Sequence, residues 1–303
     1  MRDILKKRAV AILAALVILG GVFAVVSLYN KDTAGLLGTQ RVDSESLVTK
    51  QETIGTSVEG RKIEAYTYMQ DGLQAGSAVK THMVFVGGIH GGYEWNSVML
   101  AYRFMDYIKE NPEIIPENII VTVIPSANPD GVYKVTGKDG RFVFGDIKSG
   151  KEELEDGRFN ANGVDLNRNF DCKWKPESMW KGNVVSAGDG AFSEPEARAL
   201  KNFVFGNNPD AFVFWHSQSN AVYASECERG ILPGTLAIME AYSRGSEYPA
   251  VESFDAYEIT GDAEGWLASV NIPAITVELK THETIEWSRN LAGIEALFKY
   301  YTQ

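Results

Sequence analysis

Basic charge is scarce in this sequence. After the first 29 positions, 25 Lys and Arg face 39 Asp and Glu, a net of −14. A chain so acidic lacks the basic footprint that nucleic acid requires, and it has no electrostatic reason to dock on an acidic lipid surface. Cysteine is scarcer still: Cys172 and Cys227 permit at most one internal disulfide. There is no internal repeat and no low-complexity tract. Long apolar runs are missing too, with one exception. Ala9 to Tyr29 is uncharged over 21 residues, enough for a helix to cross a hydrocarbon core of ~30 Å. It has no polar face, which argues against a buried core helix. Arg2, Lys6, Lys7 and Arg8 precede it, so that end should stay in the cytoplasm and the rest be exported. A signal peptide has an apolar region of roughly 7–15 residues and a small-residue cleavage site. This run is longer, Val22-Phe23-Ala24 is a poor site, and no cysteine lies nearby to take a lipid. The expectation is a basic cytoplasmic tail over 1–8, an uncleaved membrane anchor over 9–29, and an extracytoplasmic remainder. Cleavage and secretion form the alternative.

Residues 30–51 are polar and mixed and read as a juxtamembrane linker, leaving 52–303 as one folded domain. Within it, short apolar runs alternate with helical patterns. Lys62–Tyr68, Met83–Val86, Ile119–Ile124, Phe212–Trp215 and Ala274–Leu279 read as strands; Val98–Ile108, Glu194–Phe205, Ile231–Tyr242 and Ile285–Tyr301 read as helices. Ser193 with Glu196 three positions later has the form of a capping box. The alternation predicts an α/β domain, a mixed and mostly parallel central sheet flanked by helices. In such sheets ligands bind beyond the carboxyl ends of strands.

Histidine is rare as well, and position makes it informative. Of His82, His90, His216 and His282, two follow apolar strands directly: His90 closes Val84-Phe85-Val86-Gly87-Gly88-Ile89-His90, and His216 closes Phe212-Val213-Phe214-Trp215-His216. Glu94 stands four residues after His90. Two imidazoles and a carboxylate, with a fourth position left to water, are a common catalytic zinc set. His82 and His282 match no ligand position and read as ordinary polar residues.

The motifs around these residues resemble those of zinc metallocarboxypeptidases of the carboxypeptidase A type. Gly87-Gly88-Ile89-His90-Gly91-Gly92-Tyr93-Glu94-Trp95 is similar to the first metal motif, Gly163-Val164-Asp165-Leu166-Asn167-Arg168-Asn169-Phe170 to the motif that binds the substrate carboxylate, and His216-Ser217 to the third ligand. Thr276-Val277-Glu278-Leu279 resembles the strand bearing the catalytic glutamate. The motifs fall in the family's order over about residues 52–300. One departure stands out. Three residues separate His90 from Glu94 where the family usually has two, and the paired glycines offer a way to absorb the third.

The resemblance implies one zinc ion held by His90, Glu94 and His216, with Asp165 orienting His90 through its other ring nitrogen. It implies Glu278 as general base, Asn167 and Arg168 as the clamp on a substrate C-terminus, Arg158 as stabiliser of the developing oxyanion, and Tyr257 as a mobile tyrosine closing over the substrate. Glu264, seven residues beyond Tyr257, occupies the specificity position, where an acid would favour Lys, Arg or diaminopimelate at the terminus. Cys172 and Cys227 either pair as a disulfide or remain buried thiols. The implied activity is removal of a C-terminal residue from peptides by a monomer. Trimming of peptidoglycan stem peptides and C-terminus binding without cleavage are the alternatives.

Overall fold

The computed structural model describes residues 47–70, 81–254 and 258–303. The apolar run 9–29, the linker up to residue 46 and Tyr257 lie outside the described residues. Among the described residues no helix is long and apolar enough to cross a membrane.

The alternation read from the sequence folds into strands and helices in this order: β1 (Leu47–Thr56), β2 (Lys62–Gln70), β3 (Thr81–Val86), α1 (Trp95–Glu110), β4 (Ile119–Ile124), α2 (Pro129–Thr136), α3 (Lys151–Asp156), β5 (Glu177–Trp180), β6 (Asn183–Ser186), α4 (Pro195–Asn207), β7 (Ala211–Ser217), β8 (Ala221–Ala224), β9 (Glu226–Cys227), β10 (Gly230–Ile231), α5 (Pro233–Ser246), β11 (Ala250–Val251), α6 (Ala263–Ser269), β12 (Ala274–Leu279) and α7 (Trp287–Thr302). Eight strands form one sheet in the order β1-β2-β4-β3-β7-β12-β8-β11. The central β4, β3, β7 and β12 are mutually parallel, while β1 with β2, β2 with β4, and β12 with β8 run antiparallel.

Every residue of β7 is buried, which is why it reads as a continuous apolar run instead of an alternating one. Its side chains nevertheless alternate between two cores. Val213 and Trp215 pack with Phe104, Tyr242 and Leu297 of α1, α5 and α7; Phe212 and Phe214 pack with Leu200, Phe203 and Trp266 of α4 and α6. The sheet is therefore covered on both faces. Truncating the fully buried Trp215 to Ala would cost roughly 3–5 kcal/mol.

Two local expectations are corrected. Residues 47–51, read as linker, already belong to β1. That strand lies at the sheet edge, and Thr49, Lys50 and Gln51 are exposed, so its composition is polar. The capping box does not form either. Pro195 opens α4 and no side chain caps it. Glu196 instead accepts from Val58 N at 3.1 Å and Asn160 Nδ2 at 3.2 Å, and Ser193 Oγ donates to Glu194 at 2.8 Å. Tertiary partners captured Glu196, and the adjacent Glu194 captured Ser193.

The parallel strands β3, β7 and β12 end on one rim of the sheet, and the register sets Glu278 directly beside His216.

Candidate active site

His90 follows β3 through a tight glycine turn, and the additional residue before Glu94 is accommodated in a 3₁₀ turn over Gly91–Glu94. Gly91 has a φ of +48°, and a Cβ there would come within 2.4 Å of the Gly157 carbonyl oxygen; one on Gly92 would come within 2.5 Å of Val135. Only glycine fits both positions. The turn brings His90 Nδ1 to 2.8 Å from Glu94 Oε1. His216 Nδ1 lies 3.2 Å from His90 Nδ1 and 3.1 Å from Glu94 Oε2, the latter without hydrogen-bond alignment.

Donor atoms about 2.0–2.1 Å from a tetrahedral zinc stand roughly 3.3 Å apart. The three donors here all lie within 4.8 Å of one another, and all three residues are buried. Three lone-pair groups converging in a sealed place fit a divalent cation. Burial works to raise Glu94, but the two imidazoles outweigh it and hold the carboxyl well below its ordinary range.

Each imidazole is braced from behind. His90 Nε2 faces Asp165 Oδ1 at 3.5 Å. Asp165 in turn accepts from Arg158 Nε at 2.9 Å, with Arg158 Nη2 at 2.8 Å. Burial acts upward on Asp165; Arg158, His90 and Arg168 prevail and depress it strongly. His216 Nε2 meets Glu264 Oε1 at 3.0 Å, and Glu264 also accepts from Thr276 Oγ1 at 3.1 Å. Burial lowers His216, yet Glu94 and Glu264 on its two nitrogens raise it well above the ordinary value. Glu264, expected as the acid of a specificity pocket, thus has its carboxylate committed to a candidate ligand. A carboxylate on the far nitrogen of a metal-bound histidine fixes its tautomer and orientation.

The candidate clamp, Asn167 and Arg168, is built on the same acid. Asp165 Oδ1 accepts from Asn167 N at 3.1 Å, closing the short turn that carries Asn167 and Arg168. Asn167 Oδ1 accepts from Ala263 N at 2.8 Å, which ties the clamp to the start of α6. Gly261, at φ +68°, passes so close to Arg168 that a Cβ would sit 2.1 Å from the Arg168 carbonyl oxygen. Cys172 and Cys227 are bonded across a separation of 55 residues, fastening the segment after the clamp to β9. Arg168 is 2% exposed, donates through Nη1 to the Asn167 carbonyl at 2.5 Å, and lines the cavity, where a ligand meets little competition from water.

Glu278 lines the same cavity, of about 620 Å³, and its Oε2 is sealed without a hydrogen-bond partner among the described residues. Burial and the charge of Glu94 push its carboxyl up to about 7. Arg158 Nη1 lies 4.0 Å from Glu94 Oε1 and stacks 4.8 Å over Trp180. His82 binds Thr122 Oγ1 at 2.8 Å, as an ordinary polar residue would. His282, given the same reading from the sequence, lines the cavity instead, as do Tyr93, Trp180, Lys181 and Asp262. The turn Trp180-Lys181-Gly182-Asn183 was the only local trace of the β5–β6 hairpin, and nothing in it pointed to the site.

Comparison with known proteins agrees with this geometry. Murein peptide amidase A of Escherichia coli K12 is 33% identical over 131 residues, 40% of this chain and 50% of its own. Gamma-D-glutamyl-L-diamino acid endopeptidase 1 of Lysinibacillus sphaericus is 26% identical over 170 residues, 52% of this chain and 42% of its own. The chain spans about half the length of the curated relatives it matches. The crystal structure of a murein-tripeptide amidase from Escherichia coli O157 superposes with a TM-score of 0.56 at 23% identity, covering 86% of this chain and 95% of that one, and shares the fold. A family model described as zinc carboxypeptidase matches residues 39–287, and the chain belongs to that family.

Proposed function

We propose that this protein is a zinc-dependent peptidase that hydrolyses the amide bond beside a free terminal carboxylate in peptidoglycan stem peptides, held outside the cytoplasm by an anchor over residues 9–29. The observation that carries the proposal is the buried Asn167–Arg168 pair in the cavity that also holds His90, Glu94, His216 and Glu278. An arginine fork grips a carboxylate through two parallel hydrogen bonds, and the clamp thereby selects a chain terminus.

The side chain beyond the scissile bond meets acid. Glu264 is tied to His216, but Glu226, Glu258 and Asp262 also line the cavity, Asp262 being pushed up to about 6 by burial and by Glu264. An ammonium-bearing residue suits such a floor. Lys, Arg and diaminopimelate all qualify; the relatives named for murein peptides and for a diamino acid favour the last.

Zinc held by His90, Glu94 and His216 would supply Lewis acidity toward the scissile carbonyl and lower the pKa of water toward ~7. Glu278 takes the proton of the attacking water and returns it to the leaving amine. Arg158, steered by Asp165, meets the negative charge that develops on the carbonyl oxygen. Asp165 and Glu264 keep the two imidazoles in place.

The experiment is hydrolysis by the zinc-loaded full chain of a peptide whose γ-linked D-glutamate precedes diaminopimelate, beside α-linked peptides ending in Lys, Arg and Phe. Faster release of diaminopimelate supports the proposal. Preference for α-linked Lys or Arg would instead mark a carboxypeptidase for ordinary peptides. Zinc binding without any cleavage would mark a C-terminus-binding module.

A further inference from the structure

The cavity wall away from Arg168 is organised around Tyr93. The His282 ring meets Tyr93 edge-on at 4.5 Å, and Lys181 Nζ lies 5.0 Å from the same ring. A chain of hydrogen bonds decides which nitrogen of His282 holds its proton. Asn96 Nδ2 donates to the carbonyls of Thr281 at 2.7 Å and Thr284 at 2.9 Å, which uses both amide hydrogens and fixes Oδ1 as the free end. Oδ1 can only accept, so Ser217 Oγ, 3.0 Å away, donates its single hydrogen there. Only lone pairs then remain on Ser217 Oγ for His282 Nδ1 at 2.6 Å. Nδ1 therefore carries the hydrogen, and in the neutral ring, which burial favours, Nε2 keeps a lone pair. Nε2 is closed off from solvent and has no hydrogen-bond partner among the described residues. A buried acceptor without a donor is costly, and the residue that carries this one lines the substrate cavity.

His282 touches Ser217, beside His216, and Tyr93, beside Glu94, whereas Asn167 reaches the far side of His216 through Ala263 and Glu264. The metal-ligand set thus stands between His282 and the clamp, which places His282 on the acyl side of the scissile bond. We propose that His282 and Lys181 form the subsite for the residue supplying the scissile carbonyl, His282 Nε2 accepting its N–H and Lys181 drawing a free carboxylate beside it. A glutamyl residue linked through its side chain offers this pair on one carbon, because the γ-linkage leaves the α-carboxylate free next to the α N–H. Lys181 is about half exposed, and its pairing with Glu155 at 3.6 Å is a surface contact weak enough to yield. The proposal rests on the peptidoglycan reading above.

The test measures kcat/KM of the zinc-loaded full chain and of its His282→Ala and Lys181→Ala variants. Three substrates are compared: the γ-D-glutamyl-diaminopimelate peptide, its α-carboxamide counterpart, and its counterpart methylated on the glutamyl nitrogen. N-methylation is expected to slow the wild type roughly three- to tenfold, the size of one neutral hydrogen bond, and to leave His282→Ala nearly unchanged. The carboxamide should slow the wild type roughly two- to fivefold and Lys181→Ala hardly at all. If His282→Ala does not fold, His282→Leu, which fills the space and offers no acceptor, repeats the cycle. Equal N-methylation penalties in wild type and variant, or ¹⁵N spectra placing the His282 proton on Nε2, overturn the subsite while the substrate reading stands. If γ-linked peptides are not cut, the substrate reading fails and this proposal fails with it.

Discussion

Replacing Glu264 with Gln keeps the side-chain volume and the acceptor for Thr276, and removes the charge that His216 Nε2 meets at 3.0 Å. Glu264 and His216 are each 2% exposed, so water cannot take the place of the lost carboxylate. A hydrogen bond to an ionised partner contributes about 1.5–3 kcal/mol. His216 must present the Nδ1 lone pair to a metal, which requires its hydrogen on Nε2, and an anion there enforces that tautomer. The glutamine amide, able to offer either oxygen or nitrogen, does not. Zinc affinity of Glu264→Gln should therefore fall roughly 10- to 100-fold. At 1.4 kcal/mol per tenfold that is about 1.4–2.8 kcal/mol, within the range of the single bond removed. Competition against a chromophoric chelator reads the affinity, and circular dichroism of the zinc-depleted variant verifies the fold. The order of preferred substrates should stay as in the wild type. An affinity within twofold of wild type, together with a shift from ammonium-bearing to apolar termini, would refute the argument and return Glu264 to the role of a specificity acid.

Glu278→Gln should retain zinc and lose roughly 10²–10⁴-fold in kcat. Glu278 acts when deprotonated and its pKa is raised, so activity falls as pH drops through that value. Burial and Glu94 put it at about 7, and a bound dication draws it back, so the acid limb of kcat/KM should lie between that value and the ordinary ~4.3; the same limb in Glu278→Gln would exclude this assignment. Arg168→Ala should raise KM roughly tenfold or more for a peptide with a free terminus and hardly change it for the amidated peptide; equal effects on both would remove Arg168 from the clamp. Reducing Cys172–Cys227, which closes a loop of 55 residues, should cost about 4 kcal/mol, or roughly 8–16 °C in Tm. A Tm unmoved by reductant in calorimetry would contradict that stabilisation.

The central strands and the metal set could be read from the chain because their signals are local. A parallel strand buried on both faces, such as Phe212–Trp215, must be apolar throughout, and histidines ending two such runs stood out among only four. Arg168 and Glu278 were legible for the same reason: each sits in a short motif whose neighbours shape it. The doubled glycine also announced its purpose, since Gly91 at φ +48° takes up the additional residue before Glu94. By contrast, the partners of Glu264, Ser217 and His282 are pairings between residues 48, 65 and 121 positions apart. Side chains so far apart leave no periodicity or spacing in the sequence, and each seemed to have another use or none. The capping box failed in the same manner, because Val58, 138 positions away, claimed the carboxylate of Glu196. The sequence by itself determined which groups are the candidates for the chemistry and which strands bear them. Only the tertiary structure decided which side chain braces which ligand and which nitrogen of His282 holds its hydrogen, because those choices depend on angles and burial that arise when distant segments close on one another.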